Sequence, residues 1–330
     1  LKLENLWKKV KWRRNVQGYS KKLRSRFRDG RVVKEEVFRV YVVEKLPLSA
    51  LSLVDVIPSE IEGVATDVVV IGEMVIPPLM ASPKAYTERV RPLEAGISIG
   101  NWAITAGTLG WYFEKDTVAL GSNSHVFASN PANPGSLEKR IVQPGRHDDG
   151  HLPADQVAEY LWHKQLYGGI SDCPLARSVV AGLNTTSRLA GRQSRFTTFV
   201  EGENKIDFAV AEPTVDYKLA IHGVEDFSGF VGLGFAGSDL ASFFCKARNI
   251  VETGWIPVDV DIHEANIGDT LHKVGRTSEY TKGVITDDCA HGIVNYGSAG
   301  YIEFDDLILT EAMLEGGDSG DAAWMSLTPS

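Results

Sequence analysis

From residue 95 onward the chain repeats one texture: short runs of apolar and β-forming residues cut by glycine and asparagine. The runs are ITAGTLGWYF, TVALGSN, KIDFAVAE, FVGLGFAG, DTLHKVG, KGVIT, GIVNYG, YIEFDDLILT and DAAWMS. Short strands at this spacing bury their apolar faces by closing sheets on themselves, so residues 95–330 predict an all-β barrel or sandwich. Two stretches break the texture and read as helices. PADQVAEYLWHKQ (153–165) places a proline near the first helical position. SDLASFFCKARNIVETG (238–254) has Ser238 or Asp239 as a cap and Gly254 past its end. Its Leu240, Phe243, Phe244, Ala247, Ile250 and Val251 share one helical face.

The amino-terminal part differs. RFRDGRVV sets Asp29-Gly30 between two extended runs, which predicts a hairpin across 14–46. SALSLVDVIPSEIEG reads as helical or irregular, and TDVVVIGEMVI as a third strand, giving a small α+β module over residues 1–80. The proline-bearing stretch 77–92 is the linker. Residues 1–34 hold thirteen Lys and Arg against Glu4 and Asp29, a net +11, while the remainder carries −20. A basic arm suits nucleic acid or another anionic partner. No nucleic-acid motif accompanies it, and Trp7, Trp12, Tyr19 and Phe27 suit packing as well as base stacking, so a solvated face is the simpler expectation. Homo-oligomer formation or assembly through this module is a further expectation. No apolar run approaches the ~20 residues that span a bilayer. Cys173, Cys245 and Cys289 are odd in number and far apart, which predicts no disulfide framework. A cytoplasmic or virion-associated location is favoured over secretion.

The chemistry concentrates in Gly317-Asp318-Ser319-Gly320. A serine hydroxyl is a weak nucleophile until an imidazole takes its proton, and a carboxylate must hold that imidazole in the useful tautomer. Among eight histidines, His125 stands out: it follows a strand directly, in the small-residue turn of TVALGSNSHVFAS. Asp207 opens the apolar run of NKIDFAVAE, at the edge of a core, where a carboxylate needs a partner. The amides of Gly317 and Ser319 are placed to meet a developing oxyanion.

These pieces resemble the trypsin-like serine proteases of the plant narrow-leaf type and their bacterial and phage relatives. The resemblance rests on TAGTLGWYF, LGSNSHVFA, RIVQPGRHDDG, NKIDFAVA, DTLHKVGRTSEYTKGVI and GGDSGDAAW. In the first module it rests on VYVVEKLP and IPSEIEGVATDV, and it spans nearly the whole chain. It implies a chymotrypsin-like double β-barrel, the first barrel over about 96–215 and the second over about 228–330. It implies a serine endopeptidase acting on polypeptides through an acyl-enzyme, with His125, Asp207 and Ser319 as the triad, Gly317 and Ser319 as the oxyanion hole, and no cofactor or metal. Met313, six residues before the serine, stands at the floor of the first specificity pocket and predicts a small or apolar side chain there. Ala236 and Gly237 offer backbone pairing to an extended substrate. Asp321 replaces a small residue, and its charge threatens the histidine or acidic substrates. HDDGH (147–151) has metal-ligand residue types but reads in the family as a turn.

Only ten residues follow Gly320, too few for the remaining strand and closing helix of such a barrel. FVGLGFAGS and the helical pattern after it, residues 230–254, have the required form. A circularly rearranged second barrel is therefore expected, in which 231–236 pair with 322–326 and Ser330 lies near Gly229; the other expectations are a truncated chain or a chance GFAGS. The alternative is an inactive or weakly active protease-fold component of an assembly, such as a phage particle.

Overall fold

Antiparallel ladders dominate the molecule, which is mainly β. The computed structural model describes residues 2–28, 31–76, 78–80, 84–168, 178–179, 182–183, 185–186, 203–225, 227, 229–297 and 300–325. The chain divides into two units. One comprises Leu1–Val75, Tyr167–Glu203 and Cys289–Asp306; the other comprises Ile76–Leu166, Asn204–Asp288 and Leu307–Ser330.

In the first unit, the helix Leu3–Val10 turns Leu6, Trp7 and Val10 inward, the spacing of one helical face. They pack with residues of β1 (Val16–Ser20), β3 (Arg31–Val42) and β4 (Glu60–Ile61), chiefly Val16, Tyr19, Phe38, Val40 and Ile61. Trp7 stacks on Tyr19 at 5.0 Å between ring centres. β3 pairs antiparallel with β1 and with β2 (Arg24–Arg28), and parallel with β5 (Val64–Val70). The β2–β3 ladder reaches Arg28↔Arg31, while the expected turn residues Asp29 and Gly30 lie outside the described residues. The other edge of β1 pairs with residues 290–292, so the unit draws in a later stretch beyond the module read over 1–80. Much of the basic charge is used within the fold: Lys21 meets Asp305 at 2.6 Å, Arg26 pairs with Glu35 and donates to Thr66 O, and Arg13 donates to Val54 O.

In the second unit, β6 (Leu93–Ala95) runs parallel to the later β14 (Tyr217–Ile221). A sheet follows from β7 (Ser98–Asn101), β8 (Gly107–Thr108), β9 (Trp111–Glu114), β10 (Val118–Ser122), β11 (Arg140–Val142), β12 (Gln156–His163) and β13 (Ala209–Pro213). Its order is β9-β10-β13-β12-β11-β7-β8. Only Leu109 and Gly110 separate β8 from β9, so the path comes back on itself as a half-barrel.

The remaining strands are β15 (Phe230–Gly237), β16 (Ser242–Lys246), β17 (Ile256–Pro257, which flanks β9), β18 (Thr270–Gly275), β19 (Glu279–Asn295), β20 (Tyr301–Thr310) and β21 (Ala322–Trp324). The order β18-β21-β15-β16-β20-β19 returns to β18 through the β18–β19 ladder, so six strands close a ring. Closure removes exposed strand edges. Val231, Phe244, Leu271, Ile285, Ile308 and Ala323 meet inside one apolar cluster.

β15 and β21 are neighbours, as expected, but the contacts between them fall at the margins of the expected ranges. Phe230 opposes Trp324, Gly234 N donates to Asp321 O, Gly320 N to Gly234 O, and Met325 N to Gly229 O. None of these joins 231–236 directly to 322–326. Ser330 and Cys173 lie outside the described residues.

Both helix expectations are corrected. Residues 153–165 contain strand β12, which pairs with β11 on one side and β13 on the other. Residues 238–254 contain strand β16 followed by a short helix, Ala247–Val251. β16 fills the gap between β15 and β20, and all five of its residues are buried. Two ladders outweigh the helical spacing, because Phe243 and Phe244 pack as well on a pleated surface as on a helix.

Candidate active site

His125 and Asp207 meet because β10 and β13 are antiparallel. Their ladder ends at Ser122↔Ala209. The chain leaving β10 and the chain entering β13 therefore stand side by side. Asn123 is extended, and a single helical turn, Ser124–Phe127, follows. Asn123 Nδ2 donates to Asp207 O at 2.6 Å, and Ser124 N donates to Asp207 Oδ1 at 2.6 Å. Ser124 Oγ donates to Phe208 O at 3.0 Å. These bonds lock the two segments together, and His125 Nδ1 lies 2.5 Å from Asp207 Oδ2.

Asp207 is wholly buried. With Nδ1–H donating to it, His125 presents the lone pair of Nε2. The Asp207 amide also donates to Cys245 Sγ at 3.2 Å. Burial, reinforced by the Asp207 charge, holds the Cys245 thiol well above its ordinary range. It is a structural contact, not a reactive thiol.

Ser319 sits in the loop between β20 and β21. Asp318 N donates to Glu315 O and Asp321 N to Asp318 O, which winds the loop tightly. Gly317 has φ +107°, a conformation that side chains rarely adopt; a Cβ there would also strike Arg276 and Thr277. Ser319 O accepts from Thr108 N at 2.9 Å, and Gly317 O accepts from Thr108 Oγ1 at 2.9 Å. β8 thus docks the loop.

The same strand brings Ser319 next to the His125 segment. A Cβ on Gly107 would meet Val126 Cγ2 at 2.5 Å and Ser319 O at 3.0 Å, so the residue after His125 and the backbone of Ser319 crowd one glycine. A Cβ on Gly320 would strike Ser122 Oγ at 2.0 Å. Among the described residues, the amides of Gly317 and Ser319 have no protein acceptor. The Ser319 loop and the His125 segment thus approach the same strand, β8.

Beneath the loop lies a buried charge cluster that sequence reading missed. Lys273, Asp318 and Asp321 are all fully buried. Lys273 Nζ is 2.6 Å from Asp318 Oδ2 and 3.4 Å from Asp321 Oδ2. Asp318 also accepts from Ser278 Oγ and from the amides of Thr277, Ser278 and Glu315. Burial works against the Asp318 anion, but the Lys273 charge and these bonds outweigh it and hold the carboxyl below its usual range. Asp321 goes the other way. Burial first, then the Asp318 charge, push it up to about 8 against the pull of Lys273. One ammonium neutralises one carboxylate, and the second stays protonated at neutral pH. The signal in the sequence was Lys273 in DTLHKVG, an alternating strand that puts a lysine on the same side as Leu271.

The feared effect of Asp321 on substrates is corrected: it is wholly buried, faces Gly234 and Lys273, and is neutral below about pH 8. A consequence follows for stability. Between the ordinary 3.8 and about 8, the folded protein keeps a proton that the unfolded chain releases, so stability falls as pH rises through that window. Asp321→Asn removes this slope. Thermal melts should show the variant gaining on the wild type from pH 4 to pH 8.5, with little difference at pH 4. A constant offset across that range would contradict the burial account.

Asp148 of HDDGH is bound by Arg276, with Nε to Oδ2 at 2.6 Å and a second guanidinium contact to Oδ1, and by Ser98 Oγ at 2.5 Å. It is a structural ion pair, and no cluster of metal-binding type occurs among the described residues.

The substrate-contact candidates fall differently from their sequence assignment. Ala236 and Gly237 end β15 and pair on one side with Phe243 and Ser242. Met313 is buried in the apolar interior of the ring, its amide accepted by Ser242 Oγ and its carbonyl bonded by Thr281 Oγ1. It is a core residue and not an open pocket floor. Leu314 is the residue that faces β15, against Gly234 and Gly237.

Scans against protein-family models and against curated proteins find no match to this chain.

Proposed function

We propose that the chain is a serine endopeptidase with a chymotrypsin-like double β-barrel whose second barrel is circularly rearranged. The observation that carries the reading is the His125–Asp207 pair at the β10/β13 ladder end, together with the Ser319 loop bound to β8, where Gly107 is crowded by both Val126 and Ser319 O. The ring order supports the architecture. Read from β18, the strands run β19, β20, β16, β15, β21, so the two strands that follow the serine strand in a trypsin-like barrel would come here from earlier in the chain.

The chemistry follows from the geometry. Ser319 Oγ attacks a peptide carbonyl while His125 Nε2 takes its proton, and Asp207 stabilises the imidazolium. The carbonyl oxygen becomes an oxyanion received by Gly317 and Ser319 N–H. The imidazolium then protonates the leaving amine, and water repeats the sequence on the acyl-enzyme.

A fluorophosphonate probe tests this directly. Wild type should label covalently, Ser319→Ala should not label, and His125→Ala should label at least about 100-fold more slowly. Folded wild type that takes no label would discard the enzyme and leave the assembly-scaffold reading.

A further inference from the structure

The strongest unexplained feature is Leu314. On the protease reading, an acyl group on Ser319 has its oxygen at the Gly317 and Ser319 amides and its backbone along Ala236–Gly237. Its side chain must then enter between β15 and the segment just before Gly317. In this chain the two walls touch. A Cβ on Gly237 would lie 3.3 Å from Leu314 Cβ and 3.3 Å from Leu314 O, and a Cβ on Gly234 would lie 3.0 Å from Leu314 Cδ2. Leu314 closes the space beside Gly237 with its Cβ and backbone and shares the space beside Gly234 with Asp321 and Phe244; it is only 9% exposed and joins the ring's apolar cluster.

The wall is also pinned. Ser242 Oγ accepts from the amides of Met313 and Leu314 at 2.8 and 2.9 Å, and Thr281 Oγ1 donates to Met313 O at 2.8 Å. Swinging the segment outward would break two buried hydrogen bonds and one partly buried one and expose two apolar side chains, and buried polar groups left unpaired are costly.

We infer that Leu314 plugs the first specificity pocket and restricts cleavage to bonds following glycine, alanine or serine. A large apolar, aromatic or basic side chain would need the space that Leu314 fills. A pocket separates substrates by about 10–200-fold for each group that fits or fails to fit.

The inference rests on the protease reading, and the experiment separates the two. Fluorophosphonate labelling of wild type and Leu314→Ala reports the serine chemistry, while peptides varied at the residue before the scissile bond report the pocket. Wild type should label and should cleave after Ala at least about 100-fold faster than after Leu or Phe in kcat/KM. Leu314→Ala should shrink that ratio by tenfold or more through faster cleavage after Leu. Labelled wild type that cleaves after Leu, Phe or Arg as fast as after Ala overturns the plug alone. So does a folded, labelled Leu314→Ala with an unchanged ratio. Wild type that does not label overturns both readings.

Discussion

Asp207→Asn should lower the rate of acyl transfer by about 10³–10⁴-fold while leaving the fold intact. The expected size comes from one proton. The amide can keep Asp207's structural bonds: its oxygen still accepts from Ser124 N, and the backbone carbonyl still accepts from Asn123. What it cannot keep is the polarity toward His125. An NH₂ facing Nδ1 donates, so Nδ1 must accept and the ring proton moves to Nε2. A protonated Nε2 cannot take the Ser319 proton, and no buried anion remains to stabilise an imidazolium. The readout is the second-order rate of fluorophosphonate labelling near neutral pH, with circular dichroism to confirm the fold. A loss under tenfold would mean that the His125–Asp207 contact is structural and would remove the proposed mechanism.

Lys273→Met should produce the largest loss of stability of any single change considered. The ammonium is the counter-charge to Asp318, and both side chains are fully buried. Removing one partner of such a pair costs about 3–5 kcal/mol, because the remaining charge stays without compensation. At about 2–4 °C per kcal/mol, the melting temperature should fall by roughly 6–20 °C. The loss should be largest at neutral pH and shrink on acidification. Asp318 has a lowered carboxyl pKa in the wild type, so its contribution is present above the unfolded value and is lost as pH falls through the folded one. Lys273→Met combined with Asp318→Asn should recover much of the deficit, since the orphaned charge is gone. A single variant that melts within 2 °C of wild type, by calorimetry at pH 7, would contradict the buried-pair account. Asp318 also fixes Thr277, Ser278 and Glu315 around the serine loop, so the same variant should slow labelling of Ser319.

Much of the site was legible because its signals are local. A histidine directly after a strand, an acid directly before one, and a serine in a glycine-bounded turn each show in a few residues. Antiparallel pairing of β10 and β13 then brings the first two together with no further information. That β15 neighbours the strand after the serine was also expected, but only by setting the form of FVGLGFAGS against the few residues that follow Gly320 and the resemblance that asks for more strands.

The misses share a cause. SFFCK carries apolar residues at helical spacing, yet β15 and β20 each leave an unsatisfied edge, and β16 supplies both partners. Local pattern loses there to two ladders of backbone hydrogen bonds. PADQVAEYLWHKQ goes the same way between β11 and β13. Met313 was read as a pocket residue from its distance to the serine, but chain spacing does not say which of two adjacent apolar residues turns inward. In the ring both join the apolar cluster, Met313 against Gly283 and Leu314 against Gly234 and Gly237.

The sequence by itself determined the β texture, the turn that carries Ser319, and the local settings of His125 and Asp207, because strand length, turn chemistry and side-chain type are properties of short segments. Tertiary structure alone decided the fate of the charges and of the pocket. Whether Asp321 is an anion or a neutral acid depends on its neighbour Asp318, on Lys273, which β18 brings from far away in the chain, and on the exclusion of water by the packed strands. What stands beside Gly234 and Gly237 depends on which side chains arrive opposite them, and here Asp321 and Leu314 do.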